Sequence, residues 1–294
     1  MLASRRTSAS TPPRTRRAGD PVGLADPIAA SALEGLHGVL LTVAYDGARF
    51  HGWAAQPGGV RTVEETLRGA LREMAPEASP PRGTSRTDAG VHARAQMVAF
   101  DTSRPIPPRG WVLGLNQNLP DDVAVRGARA VPPGFAPRFA CRHKLYEYVV
   151  STDPVRCPLT DARAWRVGPG VDVERMACAA RHLVGTHDFA AFRTARDERT
   201  STTRTLLEVT VAREGPSRVR FSFRGTAFLY NMVRILVGTL VDIGKGRLDE
   251  GCIPRAFVEK DRSALGPTAP PQGLLLALVD LDMPPGTGEP WPPS

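Results

Sequence analysis

Two successive trains of strand and helix signals, parted by the proline-rich stretch 132–137, constrain what this chain can fold into more than any other feature. In the first train, residues 39–45 form a strand-like apolar run closed by the turn Asp46-Gly47. A helix begins at Thr62, a cap residue followed by the acidic first turn Glu64-Glu65. Residues 96–100 alternate as a strand, 110–116 read as a helix, and 123–131 as another strand. The second train repeats this grammar. Residues 144–151 are a strand, and 171–183 a helix with Val173, Met176, Ala177, Ala180 and Leu183 on one face. A hairpin follows over 204–213 and 217–225, turning at Glu214-Gly215-Pro216, then a long apolar helix over 228–243 and a last strand over 274–279. Such an order predicts an α+β protein.

Within the first train lies a polar, turn-rich segment, Gly83-Thr84-Ser85-Arg86-Thr87-Asp88-Ala89-Gly90-Val91-His92-Ala93. An Asp can cap the amides after it and Gly90 supplies conformational freedom, so an ordinary capped loop would account for the shape. The placement between two buried segments suggests instead that Asp88 is presented for chemistry.

At 294 residues the chain can bury a sizeable core, and its composition is globular, 41% hydrophobic and 23% charged. The net charge of +8 suggests a polyanionic partner. Arg5, Arg6, Arg14, Arg16 and Arg17 sit in a tail with no acidic residue before Asp20, so the remainder carries 8 − 5 = +3. That tail, residues 1–35, lacks apolar periodicity and is expected to be disordered, as is the Pro/Gly-rich end 284–294. Transit peptides share the tail's composition, which would make the protein organellar; a plain bacterial extension shares it too and goes with a cytoplasmic protein. Cys141, Cys157, Cys178 and Cys252 are widely spaced, without a zinc pattern, which points to a reduced, intracellular protein with no metal or other cofactor. No apolar run reaches the roughly 18 residues that span a bilayer, so no membrane is implied.

The string Arg86-Thr87-Asp88-Ala89-Gly90-Val91-His92-Ala93 resembles the catalytic loop of the tRNA pseudouridine synthase A family. Further strings agree in order over roughly residues 38 to 282: Ala44-Tyr45-Asp46-Gly47 to Trp53, Asn116-Gln117-Asn118-Leu119-Pro120, Tyr146-Glu147-Tyr148, Asn231-Met232-Val233-Arg234 and Pro271-Gln272-Gly273-Leu274. Ser85 stands where the family usually has Gly, Ala54 where it has Gln, and Leu275 where Tyr is frequent. With the element order, the resemblance implies two tandem ferredoxin-like, RNA-recognition-like β-α-β-β-α-β halves, 36–131 and 142–283, joined by a linker at 132–141, with antiparallel sheets meeting around a catalytic cleft. It implies isomerisation of uridine to pseudouridine at positions 38 to 40 of the tRNA anticodon arm, without cofactor, by a homodimer in which one subunit grips the tRNA elbow while the other's cleft takes the target. Asp88 is by this resemblance the catalytic residue.

Other residues carry roles of different weight. Arg234 sits among apolar neighbours, where an unpaired guanidinium is costly to bury; it either pairs with a carboxylate, which the resemblance favours as Asp88, or snorkels to solvent. Tyr146 aligns with the family's active-site tyrosine, able to stack on uracil and relay the C5 proton, while Tyr148 is expected on the opposite face, in the core. Leu274 and Leu276 would complete the pocket wall. Arg86 could replace the flipped uridine in the stack, hold its phosphate, or pair locally with Asp88. Arg142, His143 and Lys144 form a basic cluster beside Tyr146, and Arg218, Arg220 and Arg224 a cationic strand face; each could meet phosphate or simply solvent. His92 is left as a possible RNA contact. Two other readings stay open, a non-catalytic RNA-binding module and a carboxylate glycosidase pairing Asp88 with Asp46. The low aromatic content, 6%, disfavours the module, and the turn-like setting of Asp46 the glycosidase.

Overall fold

A computed structural model describes residues 33–194 and 200–292. The expected disordered tail therefore lies, but for its last three residues, outside the described residues. The first train supplies β1 (His37–Tyr45), α1 (Val63–Met74), β2 (Arg82–Gly83), β3 (His92–Thr102), α2 (Pro108–Asn118) and β4 (Val123–Val131). A single helical turn, α3 (Pro137–Ala140), leads into β5 (Cys141–Ser151), β6 (Trp165–Arg166), α4 (Val173–Ala180), β7 (Gly185–Asp188), β8 (Thr203–Arg213), β9 (Arg218–Gly225), α5 (Met232–Gly244), α6 (Cys252–Glu259) and β10 (Leu274–Leu281).

The strands make one continuous sheet in the order β4-β1-β3-β10-β5-β9-β8-β7, with β2 added to β3 and β6 to β5. Pairing is antiparallel except for β3 with β10 and β5 with β6. β10, the last strand in sequence, is the seam between the two trains. Leu275 and Leu276 lie beside His92 and Ala93 of β3, while Leu274 and Leu276 face Tyr148 and Tyr146 of β5.

Alternation decides which side of the sheet each residue serves. Val39, Leu41, Val43 and Tyr45 of β1 enter the main core with the helices, whereas Leu40 points the other way into a smaller cluster with Ala99, Val131, Phe135 and Ala140. Helix starts follow capping chemistry: the Thr62 hydroxyl accepts from the Glu65 amide at 3.4 Å, and Asp172 caps α4 through the Arg175 amide at 3.0 Å. α5 is apolar on nearly every side because it is buried on nearly every side.

The linker 132–141 is packed against the rest: Phe135 is fully buried, and Arg82 donates to its carbonyl at 3.1 and 3.2 Å. Two expectations need correction. The end from Pro284 is not free through residue 292. Trp291 and Ala128 exchange backbone hydrogen bonds of 2.8 and 2.9 Å, and the Gly288 amide reaches the Ala130 carbonyl at 3.0 Å, so the segment covers the otherwise open edge of β4. Tyr148 shares a face with Tyr146, as residues two apart on a strand must; it differs in being wholly buried, with its hydroxyl on the Pro270 carbonyl at 2.7 Å. α6 has no counterpart among the elements expected from the sequence; Pro254 occupies its first helical turn, where no amide hydrogen is required.

Candidate active site

The segment 84–91 runs between β2 and β3 and is pinned on both sides of Asp88. Thr84 bonds the Met97 carbonyl through its amide and its hydroxyl, each at 2.9 Å. Ser85 has no strand partner; the fully buried Gln96 side chain takes that place, its Oε1 accepting from the Ser85 amide at 3.1 Å and its amide donating back to the Ser85 carbonyl. The Thr87 hydroxyl meets the Tyr45 hydroxyl at 2.7 Å, and the Thr87 carbonyl takes the Trp53 amide at 3.1 Å. Burial pushes the Tyr45 phenol well up, so it stays neutral in this contact. Beyond Asp88 the chain turns at Gly90, φ +79°, whose amide bonds the Phe50 carbonyl at 3.2 Å. Gln96→Leu would leave both Ser85 groups buried without partners, at about 1–3 kcal/mol each. A melting point lowered by several degrees and reduced turnover are the expected results; an unchanged melt would show that the amide does not brace the loop.

Asp88 and Arg234 come together. Arg234 NH1 lies 3.7 Å from Asp88 Oδ2, with the side chains only 16% and 14% exposed. That separation is an ion pair rather than a hydrogen bond. The guanidinium is fixed by other groups: Nε donates to the Ala269 carbonyl at 2.6 Å and NH1 to Asn231 Oδ1 at 2.7 Å. Asn231 occupies the left-handed region, φ +58°, just before α5, a conformation Asn tolerates better than most residues. The motif Asn231-Met232-Val233-Arg234 thus starts a helix and, three residues on, orients its cation. The snorkelling alternative does not hold, since the guanidinium is largely buried and held by Asp88, Asn231 and the Ala269 carbonyl.

Tyr146 is 8% exposed, beside Leu276 across the seam and edge-on to Phe228 with ring centroids 4.9 Å apart. Leu274 is buried opposite Tyr148, so Leu276 rather than Leu274 abuts Tyr146. Lys144 reaches the Thr84 carbonyl at 3.4 Å, linking β5 to the entry of the Asp88 loop. Arg142 pairs with Asp282 at 2.9 Å on the surface, and Arg86 is exposed; among the described residues the ion partner of Asp88 is Arg234, not Arg86. The arginine face of β9 is partly neutralised, Arg220 by Glu147 at 2.7 Å and Glu214 at 2.6 Å, and Arg224 by Glu208 at 3.7 Å.

His92 is a brace and not a surface contact, being 2% exposed. Its Nδ1 accepts the Gly47 amide at 3.0 Å, with Asp46 Oδ1 also 3.0 Å away, and its Nε2 meets the Gln272 carbonyl at 3.1 Å; the Gly47 and Gln272 contacts together fit the neutral ring with its proton on Nε2. The ring therefore ties the Asp46-Gly47 turn, the start of β3 and the segment before β10. Gly47 has no alternative here, because a Cβ would fall 2.0 Å from the Val91 carbonyl oxygen. Burial, aided by Arg163, holds the imidazole below its ordinary range, with Asp46 opposing. A base whose affinity for protons is lowered by folding stabilises the fold fully above its unfolded value, about 6.5, and loses that contribution as pH falls below it. Thermal stability should decline on acidification from pH 6.5 by at most about 1.4 kcal/mol per pH unit from this group, and His92→Gln should flatten the slope. An identical slope in both proteins would assign the acid sensitivity elsewhere. Asp46, in turn, caps the Ala48 amide at 3.1 Å and pairs with Arg163 at 2.8 Å, which makes it a structural carboxylate and withdraws support from a two-acid glycosidase.

Sequence reasoning missed Gln96, Thr87 with Tyr45, Asn231 and the Ala269 carbonyl as parts of the site. Only Asn231 carried a signal, as an Asn directly before a long apolar run. Ser85, where the family usually has Gly, is outside the left-handed region, so its backbone does not require glycine, though its buried hydroxyl has no hydrogen-bond partner among the described residues.

A family model described as tRNA pseudouridine synthase matches residues 41–140 and 179–282, which contain Asp88 and Arg234 but not Tyr146. The chain is 41% identical over 241 residues to a tRNA pseudouridine synthase A of Geotalea uraniireducens, covering 82% of this chain and 98% of that one. It is 43% identical to the protein of that name from Geobacter sulfurreducens, over 82% and 98% of the two chains, and 42% identical to that of Myxococcus xanthus, over 81% and 90%. Motif order, a pinned Asp with its guanidinium partner, and near full-length similarity agree: the chain belongs to the tRNA pseudouridine synthase family and is an isomerase acting on tRNA.

Proposed function

We propose that the protein converts uridine to pseudouridine in the anticodon arm of tRNA, at positions 38 to 40, with Asp88 as the catalytic carboxylate. The reaction breaks the bond from C1′ to N1, turns the uracil and rejoins C1′ to C5; C5 gives up its proton and the freed N1 takes one up. No electrons are gained or lost. It calls for one ionised carboxylate held in a fixed place, and the observation that carries this reading is the loop braced around Asp88 with Arg234 locked 3.7 Å away by two neutral acceptors. A fixed cation keeps the carboxylate charged, whether Asp88 attacks the sugar or the base or removes a sugar proton. Tyr146, beside Phe228 and Leu276, would stack on the flipped uracil and relay the C5 proton. Arg86, exposed two residues before Asp88, would fill the space the uridine leaves, and Arg142 and Lys144 would line the approach, while Leu274 packs behind the site against Tyr148.

The strand orders β4-β1-β3-β2 and β10-β5-β9-β8 support the reading of two ferredoxin-like halves sharing one sheet. We propose that a homodimer in the cytoplasm is the working form, one subunit gripping the body of the tRNA while the other's cleft takes the target. Among the described residues no helix is long and apolar enough to cross a membrane. Mapping pseudouridine in tRNA from cells with and without the protein tests the positions. Loss confined to 38 to 40 is expected, and loss elsewhere in tRNA would overturn the assigned site.

A further inference from the structure

We propose that the cavity lined by Ala190, Arg193, Thr194, Arg262 and Thr268 is a phosphate subsite for the RNA strand that carries the target uridine, an inference that rests on the function proposed above. The cavity, open to solvent, measures about 500 Å³, room for a hydrated phosphodiester. Among the described residues its polar lining is cationic and hydroxylic, two arginines and two threonines. That donor-rich set suits a phosphate, which offers only acceptors.

Arg262 is the central observation. Its guanidinium is fixed by neutral acceptors, the Gly266 carbonyl at 2.9 Å, the Leu265 carbonyl at 3.5 Å and the Thr268 hydroxyl at 3.3 Å. Among the described residues it makes no ion pair. Asp188, two residues before Ala190, is occupied by Lys260 at 2.6 Å and by the Thr202 hydroxyl. Burial acts on Arg262 without any compensating charge and holds it below the usual guanidinium range. A fixed, partly buried cation with no counter-charge among the described residues, set beside a cavity, suits an anion. Thr194 adds a buried hydroxyl with no hydrogen-bond partner among the described residues.

The location gives the site its role. Thr268 precedes Ala269, whose amide bonds the Arg234 carbonyl at 3.0 Å and whose carbonyl takes Arg234 Nε at 2.6 Å. A phosphate seated on Arg262 and Thr268 is thus one residue along the chain from the group that orients the Asp88 partner. A phosphate contact next to the chemistry fixes register without reading sequence.

The test uses the full-length protein and an anticodon stem-loop RNA made with a single neutral methylphosphonate at each position in turn. Wild type should lose about tenfold or more in affinity at one position near the target uridine. Arg262→Gln should bind the unmodified RNA about tenfold more weakly, show a salt slope shallower by about 0.7–0.9, and be indifferent to that one methylphosphonate. Thr268→Val, which keeps the Arg262 charge and its two carbonyl acceptors but removes the Thr268 hydroxyl, should show the same pattern at smaller amplitude and guards against misfolding of the arginine variant. An unchanged salt slope in both variants, or a methylphosphonate effect that persists undiminished in Arg262→Gln, would overturn the subsite. Wild type that binds the RNA without isomerising it would instead overturn the proposed function, and the methylphosphonate comparison would still decide the subsite.

Discussion

Asp88→Asn is expected to lower turnover by roughly 10⁴-fold or more, the scale on which removing a reacting side chain acts. The substitution keeps the size and planarity of the carboxyl but removes its charge. The loop should hold its shape, because its braces act on Thr84, Ser85, Thr87 and Gly90 rather than on the Asp88 carboxylate. Affinity for tRNA should stay within a few-fold of wild type, since phosphate contacts dominate binding. Single-turnover kinetics with a direct binding measurement separate these effects. Substantial turnover by the variant would remove Asp88 from the mechanism.

Arg234→Met should cost about 10²–10³ in rate at neutral pH, as loss of one preorganised charge at a reacting centre does. The methionine keeps the apolar character of α5 but leaves Asp88 14% exposed and without this cation, a penalty of about 3 kcal/mol, the lower end for a broken buried pair. Taking up a proton relieves that penalty and removes the reactive form. Activity should therefore recover in part as pH rises, and a pH–rate profile overlaying wild type would refute the pairing. Part of the loss is structural, because the Ala269 carbonyl and Asn231 Oδ1 each lose a donor. Arg234→Lys restores a charge but cannot serve three partners in the planar geometry of a guanidinium, so it should rescue little.

The pairing of Asp88 with Arg234 was legible because each violates a local expectation. A carboxylate in a small-residue loop between buried segments and a lone arginine on an otherwise apolar helix both ask for a partner. The strands were legible from alternation, α1 from its cap at Thr62 and α4 from the apolar face through Val173, Met176 and Ala180. What stayed hidden depends on contacts distant in sequence. The Gln96 amide replaces a strand partner for Ser85, and nothing local distinguishes a buried Gln that does this from any polar strand residue. His92 lies four residues after Asp88 and so invited a catalytic or RNA-facing role; its brace becomes visible only once the Asp46-Gly47 turn and Gln272 are folded around it. The joining of the two sheets was expected, but two trains of elements do not announce that the last strand is the one that inserts between the third and the fifth. The charge pattern of β9 misled by omission, because Glu147 and Glu214 belong to other segments.

The central claim is that Asp88, held ionised by Arg234, drives isomerisation rather than cleavage. The most direct measurement incubates the protein with unmodified tRNA transcript and follows the fate of the target uridines. The account predicts that each uridine lost reappears as pseudouridine in the intact strand, that no free uracil is released, and that Asp88→Asn yields neither. Release of free uracil, or tightly bound RNA that stays unchanged under wild-type protein, would contradict it.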